Sequence, residues 1–257
     1  LDARARLVLQ SAAQYGFLHP GPALLVEAAQ HRAGAPRALG HHGPILLRGG
    51  EAEGAAQSLG RQFLQARARE DRIYRADRGR VSIGGRDMTG LTPHEIAHAG
   101  VGRTFQIPRV FRKMSLIDNL LVPVLDRAEP DRALIERAEA MLEQMRLIEL
   151  RHNFAEELSG GQQKLLEMAR MLMPEPKVVM LDEPFAGVHP MLCRFMIEQI
   201  EAIAAGGKTV LLISHDLTSI YRLSHRVAAL NQGRVIAEGS VAEIRGNPAV
   251  VEAYLGA

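Results

Sequence analysis

The segment from Leu158 to Pro190 constrains this chain more than any other, because it sets two anion-handling features about one helix apart. Leu158-Ser159-Gly160-Gly161-Gln162 precedes Gln163-Lys164-Leu165-Leu166-Glu167-Met168-Ala169-Arg170, whose apolar spacing predicts a helix. A serine and two glycines at a helix start offer a hydroxyl, open backbone N–H groups and the positive end of the helix dipole, which suits a phosphate. The short apolar run Val178-Val179-Met180-Leu181 predicts a buried strand. Asp182-Glu183-Pro184 ends it with two carboxylates, where open α/β sheets place ligands. Glycine pairs often mark turns, and Asp-Glu follows many strands. In this order and at this spacing, the two features read as one phosphate-handling unit.

The rest of the composition excludes more than it asserts. A chain of 257 residues can bury a sizeable core. Its formal net charge of +2 demands no nucleic-acid partner. The single cysteine, Cys193, forbids an internal disulfide and reads as a small helix residue. No apolar run approaches the ~18 residues of a membrane span. The first residues show no signal-peptide pattern, and there is no internal repeat.

Residues 1–72 differ in texture from the remainder of the chain. They hold fifteen Ala, nine Arg and nine Gly, and no Lys. Apolar clusters such as Leu24-Leu25-Val26 and Ile45-Leu46-Leu47 are broken up by Pro20-Gly21-Pro22 and Gly49-Gly50. A helix is expected over Ala55–Arg72. His41-His42 lacks accompanying ligands and reads as no metal site.

From about Ile73 the pattern is that of a folded α/β chain. Residues 79–87 predict a strand and turn. Thr92-Pro93-His94-Glu95 predicts a capped helix closed by Gly100. His94-Glu95-Ile96-Ala97-His98 matches the H-E-x-x-H zinc pattern, but the short capped helix explains these residues without a metal. Helices are expected at Met114–Leu125, Asp131–Leu147 and Met191–Ala204, a buried strand at Thr209–Ile213, and a hairpin across Arg226–Glu238.

Leu158–Gln162 resembles the signature motif of the ATP-binding cassette family, and Val178–Pro184 its Walker B strand. Gly102-Arg103-Thr104-Phe105-Gln106 and the tail Asn247–Gly256 are similar to ATP-binding subunits of branched-chain amino-acid importers. The resemblance covers about residues 73–257. It implies an α/β, P-loop NTPase-like fold: a mostly parallel core sheet, an antiparallel β flank near 79–106, a helical subdomain near 107–170 and a C-terminal tail from about 239.

The resemblance also implies roles. Asp182 would hold Mg²⁺ and Glu183 would act as general base on the attacking water. Gln106, at the Q-loop position, would reach the metal and γ-phosphate. His215 falls at the switch histidine. Ser159, Gly160, Gly161 and Gln162 would close over ATP held by a second ATPase subunit. Ala186–Pro190 resembles the D-loop, with His189 where many members carry Asp or Asn. The implied cofactors are ATP and Mg²⁺. The implied partners are a second ATPase subunit, transmembrane permease subunits and, indirectly, a solute-binding protein. The location would be the cytoplasmic face of the plasma membrane, and the short interval from Gln106 to Leu158 disfavours a nucleic-acid-handling relative.

One part of the family pattern is missing. The resemblance places a phosphate loop, G-x-x-x-x-G-K-[ST], around Gly54–Gln65, yet no lysine or glycine cradle stands there. The chain has four lysines: Lys113, Lys164, Lys177 and Lys208. Gly206-Gly207-Lys208-Thr209 imitates the end of such a loop, but it is expected to follow a helix and precede a strand, the reverse of what is required. Two explanations stand: residues 1–72 are a shifted reading frame, or the chain is a hydrolysis-deficient subunit that lends its signature motif to an intact partner.

Overall fold

The computed structural model describes residues 23–28, 82–83, 86–231 and 234–255. Its strands are β1 (Ala23–Ala28), β2 (Ser82–Ile83), β3 (Arg86–Asp87), β4 (Val101–Arg103), β5 (Val178–Asp182), β6 (Thr209–Ser214), β7 (Arg226–Asn231) and β8 (Arg234–Gly239). Its helices are α1 (Pro93–His98), α2 (Leu116–Leu121), α3 (Asp131–Gln144), α4 (Gly160–Leu172), α5 (Pro190–Ala205), α6 (Leu217–Leu223), α7 (Val241–Arg245) and α8 (Pro248–Leu255). The helix expected over Ala55–Arg72, the cluster Ile45-Leu46-Leu47, the pair His41-His42 and the stretch Gly54–Gln65 lie outside the described residues.

The chain divides into two compact units, one of residues 1–99 and 213–257, the other of residues 100–212. In the second, β4 and β5 run parallel, with Val101 opposite Val178 and Arg103 opposite Met180. Strand β6 flanks β5 on its other side. Val101–Arg103 thus belongs to the parallel sheet, not to an antiparallel flank running on to residue 106. Gly102 allows α4 to close on β4: a Cβ there would meet Met171 Cγ at 2.7 Å. Among the described residues of this stretch, β2 and β3 pair antiparallel, Ser82 opposite Asp87.

Helix α4 buries Leu165, Leu166, Met168, Ala169 and Leu172, and β5 buries Val178, Val179 and Leu181. Helix α3 buries Leu134, Ala138 and Leu142, one face at helical spacing. It stops at Gln144, short of the expected Leu147, because Arg146 turns left-handed (φ 57°) and the Leu147 N–H bonds back to the Leu142 carbonyl. The helix expected from Met114 to Leu125 is also shorter. Ser115 caps α2 by accepting the Asp118 N–H. Pro123, which has no N–H to donate, lies in a 3₁₀ turn, Val122–Val124.

In the first unit β1 pairs antiparallel with β7, and β7 with β8. The backbone around Leu24-Leu25-Val26 is therefore strand, although it lies in the segment whose composition sets it apart. Helix α1 has the expected capping box: the Thr92 N–H donates to the Glu95 carboxylate at 2.7 Å and Thr92 Oγ1 accepts the Glu95 N–H. Glu95 is thereby engaged within the cap, and His98 Nδ1 bonds the His94 carbonyl. Among the described residues no three His, Cys, Asp or Glu side chains gather as a metal site. The tail is fixed by Tyr254, whose hydroxyl donates to the Leu230 carbonyl at 2.8 Å.

Candidate functional site

Ser159 ends an extended approach and caps α4. Its hydroxyl accepts the Gln162 N–H at 3.4 Å and donates to Gln162 Oε1 at 2.9 Å, while its own N–H also donates to Oε1, at 3.0 Å. The reciprocal pair fixes the helix start. Gly160 is exposed, with open space where a Cβ would be, whereas a Cβ on Gly161 would lie 2.5 Å from Leu192 Cδ2. The two glycines therefore differ: Gly161 lets α5 approach, and Gly160 leaves a bare surface beside the N–H groups.

One turn further on, Lys164 leaves the helix toward the acid-tipped strand. It is 8% exposed, and its ammonium donates to the backbone carbonyls of Glu183 and Ala186, both at 2.8 Å. Burial lowers its pKa, and the nearby carboxylates of Glu183 and Glu167 oppose that shift. Glu183 is buried and takes a left-handed backbone angle, φ 45°. Such a conformation in a non-glycine residue costs on the order of 1 kcal/mol and persists only where its surroundings hold it.

Asp182 sits at the end of β5, its N–H donating to Thr104 Oγ1 at 3.4 Å. Its carboxylate lies 3.6 Å from the Arg103 guanidinium. Burial pushes the Asp182 carboxyl above its ordinary range, and the Arg103 charge acts against that. Arg103 also rests over the Phe105 ring, 4.7 Å from its centroid.

Gln106 lies in the loop leaving β4. Helix α4 holds this loop: Glu167 accepts the N–H of Phe105 at 3.2 Å and of Arg109 at 2.8 Å. Arg170, one turn later, donates to the Arg109 carbonyl and lies over the Phe111 ring. Beyond the loop, the side chain of buried Asn119 bonds both the N–H and the C=O of Phe111.

The turn after β5 packs under the same helix. Gly187 has φ 68°, a left-handed turn that suits glycine. His189 caps α5 through Nδ1, which accepts the Met191 N–H at 3.3 Å. An imidazole thus does here what Asp or Asn would do as a cap. Cys193 packs beneath, its sulfur 3.5 Å from the Val188 carbonyl.

Gln106, Asp182, Glu183 and the Ser159–Gln162 helix start all lie in unit 100–212. His215 belongs to the other unit, exposed at the end of β6, where Asp216 follows and caps α6 by accepting the Thr218 and Ser219 N–H groups. Sequence reasoning missed the parts played by Lys164, Glu167, Arg103 and Thr104. A signal existed for two of them: Lys164 and Glu167 interrupt the apolar face of α4 at i, i+3, where a charge needs a partner. Lys208 donates to the Pro176 carbonyl at 3.0 Å in a loop between α5 and β6, so its glycine pair is a helix end and not a phosphate cradle.

Comparison with known proteins bears on the family. A family model described as ABC transporter matches residues 71–186, and one described as branched-chain amino acid ATP-binding cassette transporter matches 234–257. The probable branched-chain amino acid transport ATP-binding protein LivG of Archaeoglobus fulgidus is 39% identical over 197 residues, covering 72% of this chain and 77% of that protein. BraF of Pseudomonas aeruginosa, a high-affinity branched-chain amino acid transport ATP-binding protein, is 36% identical over 206 residues, covering 72% and 78%. The ADP conformation of MJ1267, an ATP-binding cassette of an ABC transporter, is 33% identical with a TM-score of 0.63, covering 72% of this chain and 80% of that one. By these matches the chain belongs to the ATP-binding cassette family, among the ATP-binding proteins of branched-chain amino-acid transport.

Proposed function

We propose that this chain is the ATP-hydrolysing subunit of an importer, with branched-chain amino acids as the solute class, working peripherally on separate membrane subunits. The observation that carries this reading is Lys164, which joins the Ser159–Gln162 anion clamp to the backbone of Glu183. A single side chain thereby ties the clamp helix to the turn that carries the base. In this reading Ser159, Gly160, Gly161 and Gln162 contact ATP held by the opposite subunit. Glu183 takes a proton from the attacking water, and His215 contacts the γ-phosphate. Pairing of two subunits is then part of the mechanism, because ATP stabilises the closed pair over the open one.

Asp182 and Gln106 are hard oxygen donors, the chemistry Mg²⁺ prefers, and a single carboxylate completed by water and phosphate suits that ion. They would hold the metal, which when bound neutralises charge on the phosphates. Ile107 and Phe111 are exposed along the Gln106 loop, and Phe154 is exposed beside it where Ser115 bridges to Phe154. We assign this apolar surface to the permease contact. Among the described residues no helix is long and apolar enough to cross a membrane.

A second reading is favoured by one observation. The lysines at 113, 164 and 208 each bond a carboxylate or carbonyl oxygen among the described residues, and Lys177 leads into β5. In this reading the chain donates its signature motif to a partner and hydrolyses nothing itself. ATP turnover by the chain assembled with a second ATPase subunit and its membrane subunits separates the two. If this chain's own site hydrolyses ATP, Glu183→Gln removes that site's turnover while leaving the melting curve intact. If it only donates, Glu183→Gln changes nothing and Ser159→Arg removes turnover.

A further inference from the structure

We propose that Lys164 is a positioning residue: it holds the Glu183 backbone in its left-handed conformation and makes the carboxylate loop move with the signature helix of the same chain. This rests on the reading in which Glu183 is the base and Ser159 begins the clamp for the opposite subunit's ATP.

The geometry is specific. The Lys164 ammonium spans two carbonyls three residues apart, those of Glu183 and Ala186, each at 2.8 Å. The Glu183 carbonyl also accepts the Ala186 N–H at 3.2 Å, and the Phe185 carbonyl accepts that of Val188. The lysine therefore closes the turn from outside, at the residue whose backbone is strained. A lysine with 8% exposure, surrounded by Leu165, Leu166 and Met168 on its helix, is costly to keep charged unless its donors are used. Nothing in helix formation requires a lysine here, since a leucine would extend the apolar stripe. What it adds is a direct link between two elements that, in this reading, serve different nucleotides: α4 the partner's, and the 183–186 turn the chain's own. A shift of the helix start on contact with the opposite subunit reaches Glu183 through one side chain.

The test is amide hydrogen exchange of the full chain, comparing wild type with Lys164→Met, Lys164→Gln and Lys164→Arg. Losing a hydrogen bond from a buried charged donor corresponds to about a ten- to hundred-fold rise in local opening. Exchange at the amides of 185–188 is expected to rise by that factor in K164M, less in K164Q, and to return toward wild type in K164R. Peptides from β5 and β6 should be unchanged. If K164M does not fold, the difference between K164Q and K164R carries the comparison. Exchange across 185–188 that is identical in all variants, or that rises equally throughout β5 and β6, overturns the proposal. The measurement does not depend on turnover. Failure of the catalytic reading shows instead as an active Glu183→Gln variant, so the two failures are distinct.

Discussion

The carboxylate of Glu167 accepts the backbone N–H of Arg109 at 2.8 Å, and that of Phe105 at 3.2 Å. Two amides bracketing Gln106 are thus held by one buried side chain on the signature helix, 2% exposed. Burial raises the pKa of this carboxyl, with the two amide bonds acting against the shift. The position of the Gln106 loop is therefore set by α4 as much as by β4.

The first prediction comes from that contact. Glu167→Ala leaves two partly buried N–H groups without an acceptor and is expected to cost roughly 2–4 kcal/mol of stability. Glu167→Gln keeps one acceptor oxygen and removes the buried charge, so it should cost less. Urea unfolding of the three proteins checks the order. Equal stability of Glu167→Ala and wild type would show that the loop is held elsewhere.

A second prediction concerns pH. The Asp182 carboxyl has its pKa raised above 3.8, chiefly by burial, with Arg103 pulling it back. A raised folded value means that the native state binds its proton to higher pH than the unfolded chain does. The stability this group contributes is full below about pH 4 and is lost as pH rises through the folded value. Asp182→Asn removes that dependence. It should melt higher than wild type at neutral pH, with the gap closing as the solution is acidified toward about pH 4. Melting curves across this range decide it, and a gap that instead widens in acid would sink the argument.

What the sequence disclosed, and what it did not, divides along physical lines. Local chemistry was legible. The Thr92–Glu95 capping box, the strand ending at Asp182 and the apolar face of α3 are set by residues within a turn of one another, and all are found. Long-range pairing was not. Val101–Arg103 looks like the end of a β flank until its parallel register with Val178–Met180 is known, and that register joins segments far apart in the chain. The helix expected over Met114–Leu125 begins instead after the Ser115 cap and gives way to a 3₁₀ turn at Pro123. Lys164 and Glu167 were legible only as oddities, because their partners are backbone atoms of distant loops, which leave no mark in the sequence.

A third prediction separates fold from function at the signature motif. A Cβ on Gly160 meets nothing within 4 Å, and the residue lies at the first position of α4. Gly160→Ala should leave stability unchanged or raise it by up to about 1 kcal/mol. If Gly160 faces a partner's nucleotide, the added methyl should nonetheless weaken ATP-dependent pairing. Gly161→Ala behaves differently: the methyl pushes on Leu192 and should cost about 1–3 kcal/mol. Sedimentation with ATP and an intact second ATPase subunit, beside denaturant unfolding, reads both effects. Undiminished ATP-dependent pairing in Gly160→Ala would remove the motif from the subunit interface.

The last prediction concerns the missing phosphate loop. Three of the four lysines are hydrogen-bonded where they stand. Lys113 pairs with Glu156 at 2.7 Å, Lys164 holds the Glu183 turn, Lys208 bonds the Pro176 carbonyl, and Lys177 packs with its Cγ 3.6 Å from where a Gly100 Cβ would be. None of the four ends a G-x-x-x-x-G-K-[ST] sequence, and charge neutralisation of the phosphates is a large part of phosphoryl transfer. A chain of this composition should therefore bind nucleotide weakly by itself. If residues 1–72 are a shifted frame, one of the other two frames of the upstream DNA encodes G-x-x-x-x-G-K-[ST] and then a helical pattern, and restoring that frame should raise ATP affinity by orders of magnitude. If neither frame encodes it, the shifted-frame explanation ends. The chain is then a subunit whose signature motif acts on a partner's ATP, and its own Glu183 should be replaceable without loss of transport.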